Sequence, residues 1–297
     1  MRMDESQIKD QVRSFYDRVG WQQVSDGIYQ NARYEDLRPV SQEYILRCHM
    51  RVKRFLADSG DYLLDAGSGP VQYPAYLTYS QNYRFRVCAD ISITALREAR
   101  LRLGKKGLYV VCDIANLPFR SESFEGIVSL HTIHHVPYES QPRAYLSLYR
   151  LLKPGKNAAI VNAWNQSRLM ERWKWLMLLM ERLTGLWNRL FHRELKGTAT
   201  QSTDSPVAEK IPPTGTYTQH YEAETLLAEL ATCQIPAEIH PWRSLSVRFL
   251  RAVIHPGLAG GSLLRLVYNL EGRYPRYFGK NGQYPLIILR KPEQESA

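Results

Sequence analysis

The sequence predicts an α/β protein with a Rossmann-like, doubly wound sheet that is mostly parallel and has an antiparallel last strand. Three apolar runs each end in an aspartate, at Asp65, Asp90 and Asp113, and the turn Gly67-Ser68-Gly69 follows the first. Strands and helices alternate from residue 61 to 163, the pattern of a parallel sheet covered on both faces. The carboxyl ends of such strands meet along one crevice, where open α/β sheets bind ligands.

The predicted elements can be placed in order along the chain. Residues 1–57 are helical in pattern and precede the first strand, so they are expected to form an N-terminal cap over the crevice. Residues 58–297 form the sheet domain. Short β-branched runs bounded by turn residues predict its strands, and apolar residues at helical spacing predict its helices. The predicted strands are 62–65, 86–90, 108–113, 125–130, 158–162, 237–249 and 283–290, and the helices 95–103, 144–152 and 222–230.

Residues 165–216 interrupt this alternation with an amphipathic helical segment and a loop rich in serine, threonine and proline. Apolar residues between Leu169 and Leu190 recur at spacings of three and four, with arginines among them. The segment has too few uninterrupted apolar residues to span a bilayer. Three interpretations remain open: a hydrophobic lid over the active site, a peripheral membrane contact through residues 165–196, or the interface of a homodimer.

Composition narrows the class of protein and its partners. The 297 residues carry a formal net charge of +10, which favours acidic partners, although the basic residues are scattered along the chain. The four cysteines have no paired spacing, so we expect neither disulfides nor a metal site. The N-terminus lacks the apolar region of a signal peptide, and a cytoplasmic protein is therefore expected.

The spacing of acids and glycines favours an adenosine-type cofactor. Asp90 follows the glycine turn at roughly 20 residues, the distance at which a carboxylate meets ribose hydroxyls. Asp113 adds an acceptor suited to the adenine amine. Val71 stands where a dinucleotide fingerprint would have its last glycine, which counts against NAD and FAD.

In this order, the motifs resemble those of the class I S-adenosylmethionine-dependent methyltransferases, and most closely the small-molecule and quinone methyltransferases. The likeness is strong over residues 60–165. The matching stretches are 64–69, 89–92, 112–119, 123–129, 133–136 and 151–155.

The resemblance implies S-adenosylmethionine as cofactor and suggests which residues bind it. The glycine turn would hold the methionine end, Asp90 the ribose, and Asp113 the adenine edge, while Ser129 and Leu130 would lie near the reacting sulfur. Tyr16 either lies across the cofactor or packs in the core. The full set is Tyr16, Asp65, Gly67, Ser68, Gly69, Asp90, Ile91, Asp113, Ile114, Ser129 and Leu130.

Three histidines after the fourth strand are the candidate catalytic residues. The sulfonium already activates its methyl group, so the protein mainly aligns the nucleophile, and a base is needed only for an acceptor that loses a proton. His131, His134 or His135 could be that base, or could pack and cap the next helix instead. His220 could line the acceptor pocket.

The predicted function is methyl transfer to O, N or C of a small, apolar or lipid-like acceptor. A nucleic-acid (RNA) methyltransferase is the enzymatic alternative, because the chain is basic. The scattered charge and the lack of an Asn-Pro-Pro-Tyr motif disfavour nucleic acid. A non-catalytic protein that binds the cofactor is the third alternative.

Overall fold

The structure, a computed structural model, describes residues 4–21, 23–25, 28–29, 35–191 and 216–293. Its N-terminal part holds α1 (Glu5–Phe15), the short antiparallel pair β1 (Gln23–Ser25) and β2 (Ile28–Tyr29), and α2 (Pro39–Met50). Asp4 and Gln7 form a capping box at the start of α1, and Pro39 begins α2. The predicted helices are present, but a π-helical turn and two strands separate them.

Seven strands form the central sheet. They are β3 (Gly60–Ala66), β4 (Tyr83–Asp90), β5 (Gly107–Val111), β6 (Phe124–Leu130), β7 (Leu152–Val161), β8 (Ala237–Arg243) and β9 (Tyr284–Arg290). Their order across the sheet is β5-β4-β3-β6-β7-β9-β8. Within this sheet, the two pairs that contain β9 are antiparallel and the other described pairs are parallel. The predicted sheet, mostly parallel with a reversed last strand, is therefore confirmed.

Helices cover both faces of this sheet. They are α3 (Pro74–Leu77), α4 (Ile93–Leu103), α5 (Gln141–Leu151), α6 (Arg168–Arg172), α7 (Lys174–Phe191), α8 (Ala223–Thr232), α9 (Val247–Val253), α10 (Gly260–Arg273) and α11 (Pro275–Asn281). Neighbouring strand residues face opposite sides: Leu63 packs in one hydrophobic cluster and Leu64 in the other. The sheet is thus buried on both faces, as the doubly wound prediction requires.

Two predicted strands have different bounds in the structure. β7 begins at Leu152, earlier than predicted, because Leu152 already pairs with Phe124 of β6. Gly155, with a φ of +72°, donates its N–H to the carbonyl of Lys291. The strand predicted to run from 237 to 249 ends at Arg243. Ser246 then caps α9 by accepting a hydrogen bond from the backbone N–H of Phe249.

The inserted helices α6 and α7 pack against α9. Met177 is buried in a cluster with Phe249, and Glu181 forms a bidentate ion pair with Arg248. Neither helix contributes a residue to the wall of the cavity described below, so the lid prediction finds no support in their placement. The predicted loop largely falls on 192–215, outside the described residues. Within the described ranges, no helix is long and apolar enough to span a bilayer.

Candidate cofactor and acceptor site

A cavity of about 680 Å³ opens at the carboxyl ends of β3, β4 and β6, a size typical of small-molecule sites. Its wall includes every predicted site residue except Ser129. Those present are Tyr16, Asp65, Gly67, Ser68, Gly69, Asp90, Ile91, Asp113, Ile114, Leu130, His131, His134 and His135. His220, proposed for the acceptor pocket, also lines it.

Ser129 is the predicted residue that the structure does not place at the cavity. Its side chain is fully buried within β6, and its hydroxyl has no hydrogen-bond partner in the described ranges. Successive side chains of a strand point to opposite faces, so Leu130 reaches the cavity and Ser129 turns away. A side-chain role of Ser129 in cofactor binding is therefore not supported.

The glycine turn brings the backbone close to its neighbours. Gly67 has a φ of +71°, and a Cβ there would lie 2.1 Å from Cγ2 of Thr132. The Thr132 hydroxyl donates to the carbonyl of Gly67 at 3.0 Å. Gly69, with a φ of +52°, donates its N–H to Oδ2 of Asp90 at 2.8 Å. Only glycine fits Gly67's place without a shift of Thr132.

Val71 also adopts the left-handed conformation, with a φ of +53°, while its side chain is completely buried. This is the position where a glycine-rich fingerprint would have its last glycine. The left-handed region costs an L-residue roughly 1–2 kcal/mol. The loop therefore keeps the shape of a glycine turn although a β-branched residue replaces the glycine.

The carboxylates at the strand ends are held by different partners. Oδ2 of the buried Asp65 accepts hydrogen bonds from the Arg86 guanidinium at 3.0 and 2.5 Å. Asp90 accepts the backbone N–H groups of Gly69 and Ser92, each at 2.8 Å. Burial raises the pKa of Asp90 to about 6, although these two backbone bonds act in the opposite direction.

The N-terminal cap is bonded to the cofactor side of the cavity. Lys9 Nζ lies 2.6 Å from Oδ2 of Asp113. The Ser92 hydroxyl donates to Asp17 at 2.5 Å. Both contacts attach the cap next to the acids that end β4 and follow β5. Residues of this N-terminal part, among them Lys9 and Tyr16, form part of the cavity wall.

Two of the three histidines have hydrogen bonds that fix their protonated nitrogen. His135 Nδ1 lies 2.9 Å from the carbonyl of Tyr217, so Nδ1 carries the proton and Nε2 accepts from the Tyr16 hydroxyl at 2.7 Å. His134 Nδ1 lies 2.9 Å from Oδ1 of Asn162, which also accepts the N–H of Ala163. Burial lowers the pKa of His135 to about 4 and that of His134 well below its ordinary value.

His131 lines the cavity directly after the end of β6. Its φ is +55°, and its ring contacts those of Trp242 and Tyr284 at centroid distances of 4.8 and 5.7 Å. Burial, followed by the charge of Arg243, lowers the pKa of His131 to about 3. All three histidines are therefore neutral at neutral pH. The single acceptor nitrogen of His135 is taken by Tyr16, so His131 and His134 are the candidates to accept a hydrogen bond from an O–H or N–H group.

The far half of the cavity consists of residues that the sequence analysis missed. Its wall holds aromatic rings and a buried ion pair between Glu35 and Arg243. These residues come from distant parts of the chain, so no local pattern groups them. They are Glu35, Gln72, Tyr73, Tyr76, Trp242, Arg243, Gln283 and Tyr284. No group of three metal-ligating side chains occurs in the described ranges.

Comparison with known proteins agrees with this geometry. Residues 64–160 match a protein family described as "Methyltransferase domain". "Probable tRNA methyltransferase 9B" of Mus musculus is 27% identical over 173 residues, which is 57% of this chain and 36% of that protein. The Homo sapiens protein of the same name is 27% identical over 172 residues, 57% of this chain and 35% of that protein. The chain thus spans about a third of the length of these curated relatives.

Solved structures share the fold at low sequence identity. Phosphoethanolamine N-methyltransferase 1 of Haemonchus contortus, bound to phosphoethanolamine and S-adenosylhomocysteine, has a TM-score of 0.56 at 12% identity, covering 99% of this chain and 52% of that chain. The complex of the Haloferax volcanii Trm112 activator with a methyltransferase has a TM-score of 0.52 at 12% identity, covering 86% of this chain and 92% of that chain. The cyclase SpnF has a TM-score of 0.51 at 18% identity, covering 96% of this chain and 97% of that chain. Because a cyclase shares the fold, the fold alone does not identify the acceptor or the reaction.

Proposed function

We propose that this chain, whose residues 64–160 match the family described as "Methyltransferase domain", is a class I S-adenosylmethionine-dependent methyltransferase. It methylates an oxygen or nitrogen of a small acceptor held in the same cavity. The observation that carries the proposal is the continuity of the cavity. It runs from the glycine turn and Asp90 to a chamber walled by His131, Tyr73 and Trp242. A cofactor and a small acceptor can thus meet without leaving the protein.

The residues at the strand ends fit S-adenosylmethionine. The backbone of Gly67 and Gly69 lines the cavity and suits the methionine part, and the carboxylates of Asp90 and Asp113 suit ribose hydroxyls and the adenine amine. When bound, the cofactor supplies an activated methyl group. Neutral imidazoles around the cavity do not repel the positive sulfonium, whereas protonated histidines would.

The histidines would orient the acceptor rather than act as strong bases. A neutral imidazole nitrogen of His131 or His134 accepts a hydrogen bond from the acceptor's O–H or N–H and directs its lone pair at the methyl carbon. The bound cofactor would supply the methyl group to the aligned oxygen or nitrogen. The proton of a methylated oxygen would be acidic enough to pass to an imidazole despite that imidazole's low pKa, whereas the proton of a methylated amine would leave to water.

The chamber favours a polar aromatic acceptor over a lipid chain. Tyr73, Tyr76 and Tyr284 offer ring faces, whereas Gln72 and Arg243 bring polar groups that an alkyl chain would leave unpaired. The small acceptor expected from the sequence therefore remains our proposal, with aromatic rather than lipid-like character.

Calorimetric titration with S-adenosylhomocysteine tests the cofactor site. Asp90→Ala removes the carboxylate proposed for the ribose and should weaken binding roughly tenfold or more, because hydrogen bonds to charged groups contribute about 1.5–3 kcal/mol. Asp58→Ala, at an exposed aspartate before β3, is the matched control and should bind like the wild type. Absence of binding to the wild type would refute the proposed function.

A tRNA methyltransferase is the second candidate, favoured by the relatives of that name and the net charge of +10. The target base would have to leave its stack to reach a cavity closed by the N-terminal cap. Transfer of radiolabelled methyl to bulk tRNA, with an affinity that falls steeply with salt, would support RNA as acceptor. If small molecules acquire the radiolabelled methyl group and tRNA does not, RNA is excluded as the acceptor.

We further propose a cytoplasmic protein whose helix α7 contacts an anionic membrane surface. Trp173 and Trp175 are exposed beside Arg172 and Lys174, which is the composition of an interfacial helix. The interface of a homodimer is the alternative use of the same face.

A further inference from the structure

The edge strand β8 ends at the acceptor half of the cavity with an irregular pairing. Its register against β9 shifts between Pro241 and Arg243. Successive side chains of a regular strand point to opposite faces, whereas a bulge can bring two of them to one side. Trp242 and Arg243 both line the cavity, and Cζ of Arg243 lies 5.3 Å from the Trp242 ring centroid. The irregularity thus places two adjacent side chains together on the wall.

Each of these side chains carries a buried donor without a partner. Trp242 Nε1 and Arg243 Nε have no hydrogen-bond acceptor in the described ranges, although both residues are only 2% exposed. Indole and guanidinium N–H groups can only donate. A buried unpaired donor costs about 1–3 kcal/mol, so two of them in side chains that line a cavity suit a ligand that accepts.

The remaining parts of both side chains are already fixed. Nη1 of Arg243 donates a hydrogen bond to Oε1 of Glu35, and Cζ of Arg243 lies 4.6 Å from the Tyr284 ring centroid. Although burial alone would raise the pKa of Glu35, Arg243 and His49 lower it to about 2. The Trp242 ring lies between His49, stacked at 5.3 Å, and His131. The two donors are therefore held in place before a ligand arrives.

We propose that Trp242 Nε1 and Arg243 Nε bind the carboxylate of a small aromatic acid, which is the acceptor of the methyl group. Two donors from separate side chains match the two oxygens of one carboxylate, and the guanidinium makes one bond charge-assisted. The rings of Tyr73, Tyr76 and Tyr284 provide faces for the aromatic part. This inference rests on the proposed function, because the subsite is the acceptor end of that cavity.

The subsite also adjoins the residue proposed to orient the nucleophile. His131 touches the Trp242 ring and stands at the carboxyl end of β6. An acid anchored by its carboxylate at Trp242 and Arg243 can therefore extend its other end past His131 toward the cofactor half. The residues of β8 thus act in recognising the acceptor, and His131 in orienting it.

The test compares 4-hydroxybenzoate with 4-hydroxybenzyl alcohol, its matched neutral analogue, by titration calorimetry on protein saturated with S-adenosylhomocysteine. We expect the acid to bind at least roughly tenfold more tightly, because hydrogen bonds to charged groups are the stronger ones. Binding of S-adenosylhomocysteine is measured first. If it fails, the proposed function falls. If it succeeds and the acid is not preferred, only the carboxylate subsite is refuted.

Trp242→Phe keeps the ring and removes one donor. It should lower the affinity for the acid roughly fivefold while leaving the affinities for the alcohol and for S-adenosylhomocysteine unchanged, since a typical net hydrogen bond contributes about 1 kcal/mol. Arg243→Lys keeps a cation for Glu35 and should reduce the preference for the acid. Trp175→Phe, on the exposed face of α7, is the control. An unchanged preference in Trp242→Phe and Arg243→Lys, with thermal unfolding like that of the wild type, would overturn the assignment.

Discussion

At the scale of single residues, burial decides the charge of the cavity. His131, His134, His135 and His220 all line it, and burial lowers the pKa of each. Burial instead raises the pKa of the Asp90 carboxyl group, to about 6, because Asp90 is charged in its deprotonated form. Among these five side chains, Asp90 is therefore the one that changes charge closest to neutral pH, and the histidines stay neutral.

This arrangement predicts how cofactor binding depends on pH. Because the pKa of Asp90 is raised to about 6, its side chain is half ionised at that pH, ionised well above it, and protonated as pH falls through that value. Because the carboxylate is the better acceptor for ribose hydroxyls, affinity for S-adenosylhomocysteine should decline between pH 7 and pH 5. Titration calorimetry across this pH range measures the affinity for S-adenosylhomocysteine. Asp90→Asn should bind more weakly and independently of pH; a wild type with equal affinity at pH 5 and 8 would contradict the assignment.

The glycine turn supports a prediction with a close internal control. Gly67 and Gly155 have φ values of +71° and +72°, but a Cβ meets Thr132 at the first and the flexible Glu293 side chain at the second. Gly67→Ala and Gly155→Ala share the left-handed cost of about 1–2 kcal/mol, and Gly67→Ala should lose about 1–3 kcal/mol more through overpacking.

Urea unfolding measures the free energy of unfolding of both variants. Of the two variants, only Gly67→Ala should also weaken the binding of S-adenosylhomocysteine, because Gly67 lines the cavity and Gly155 does not. Equal losses of stability in the two variants would mean that Thr132 moves aside freely.

At the scale of elements, α7 is amphipathic but buries only part of its apolar surface. Met177 packs in a cluster with Phe249, whereas other apolar side chains of the helix face solvent. Those at least 39% exposed are Trp175, Leu178, Leu179, Leu183 and Leu186. A contiguous apolar face of this kind marks an interaction surface, and the neighbouring cations favour an anionic one.

Vesicle co-sedimentation tests this surface. The wild type should bind vesicles of phosphatidylcholine with phosphatidylglycerol more tightly than phosphatidylcholine alone. Replacing Trp175, Leu179 and Leu183 by serine should lower the partition coefficient roughly tenfold or more, since each buried CH₂ contributes about 0.8 kcal/mol. Leu101→Ser, 80% exposed on α4, should have no effect. Sedimentation as a dimer that the triple variant abolishes, without vesicle binding, would assign the face to self-association instead.

At the scale of the whole molecule, buried charges join the cap, the sheet and the C-terminal helices. Glu271 of α10 accepts hydrogen bonds from Tyr44 of α2, from Arg51 after it, and from Ser244 beyond β8. The carboxylate and the guanidinium are almost fully buried. The cap is thus fastened to the domain through ionic contacts as well as apolar packing.

Glu271→Gln should therefore be strongly destabilising. The change leaves the Arg51 cation buried without its counter-ion, and breaking a buried pair in this way costs about 3–5 kcal/mol. Glu238→Gln, in an exposed pair with Arg290, is the control and should cost less than about 1 kcal/mol. Urea unfolding measures both. Similar losses would show that water reaches the Arg51–Glu271 pair.

The sequence by itself determined the sheet and the strand ends that line the cavity. Asp90, Gly67 and Leu130 could be predicted because each follows or ends a strand with a local apolar pattern, and parallel strands end at one edge. The burial of the Ser129 side chain away from the cavity could not be predicted, because the family pattern gives a position along the strand but not the face to which a side chain points.

Only the tertiary structure decided the acceptor side. Glu35 and Arg243 lie 208 positions apart, and their pairing has no local signature in the sequence. Trp242 lies on the same wall where the pairing of β8 with β9 is irregular. An apolar stripe does not specify which element it packs against, so the packing of α7 against α9 could not be predicted either. Local patterns of polar and apolar residues determine elements, whereas contacts between distant segments depend on how those elements pack together.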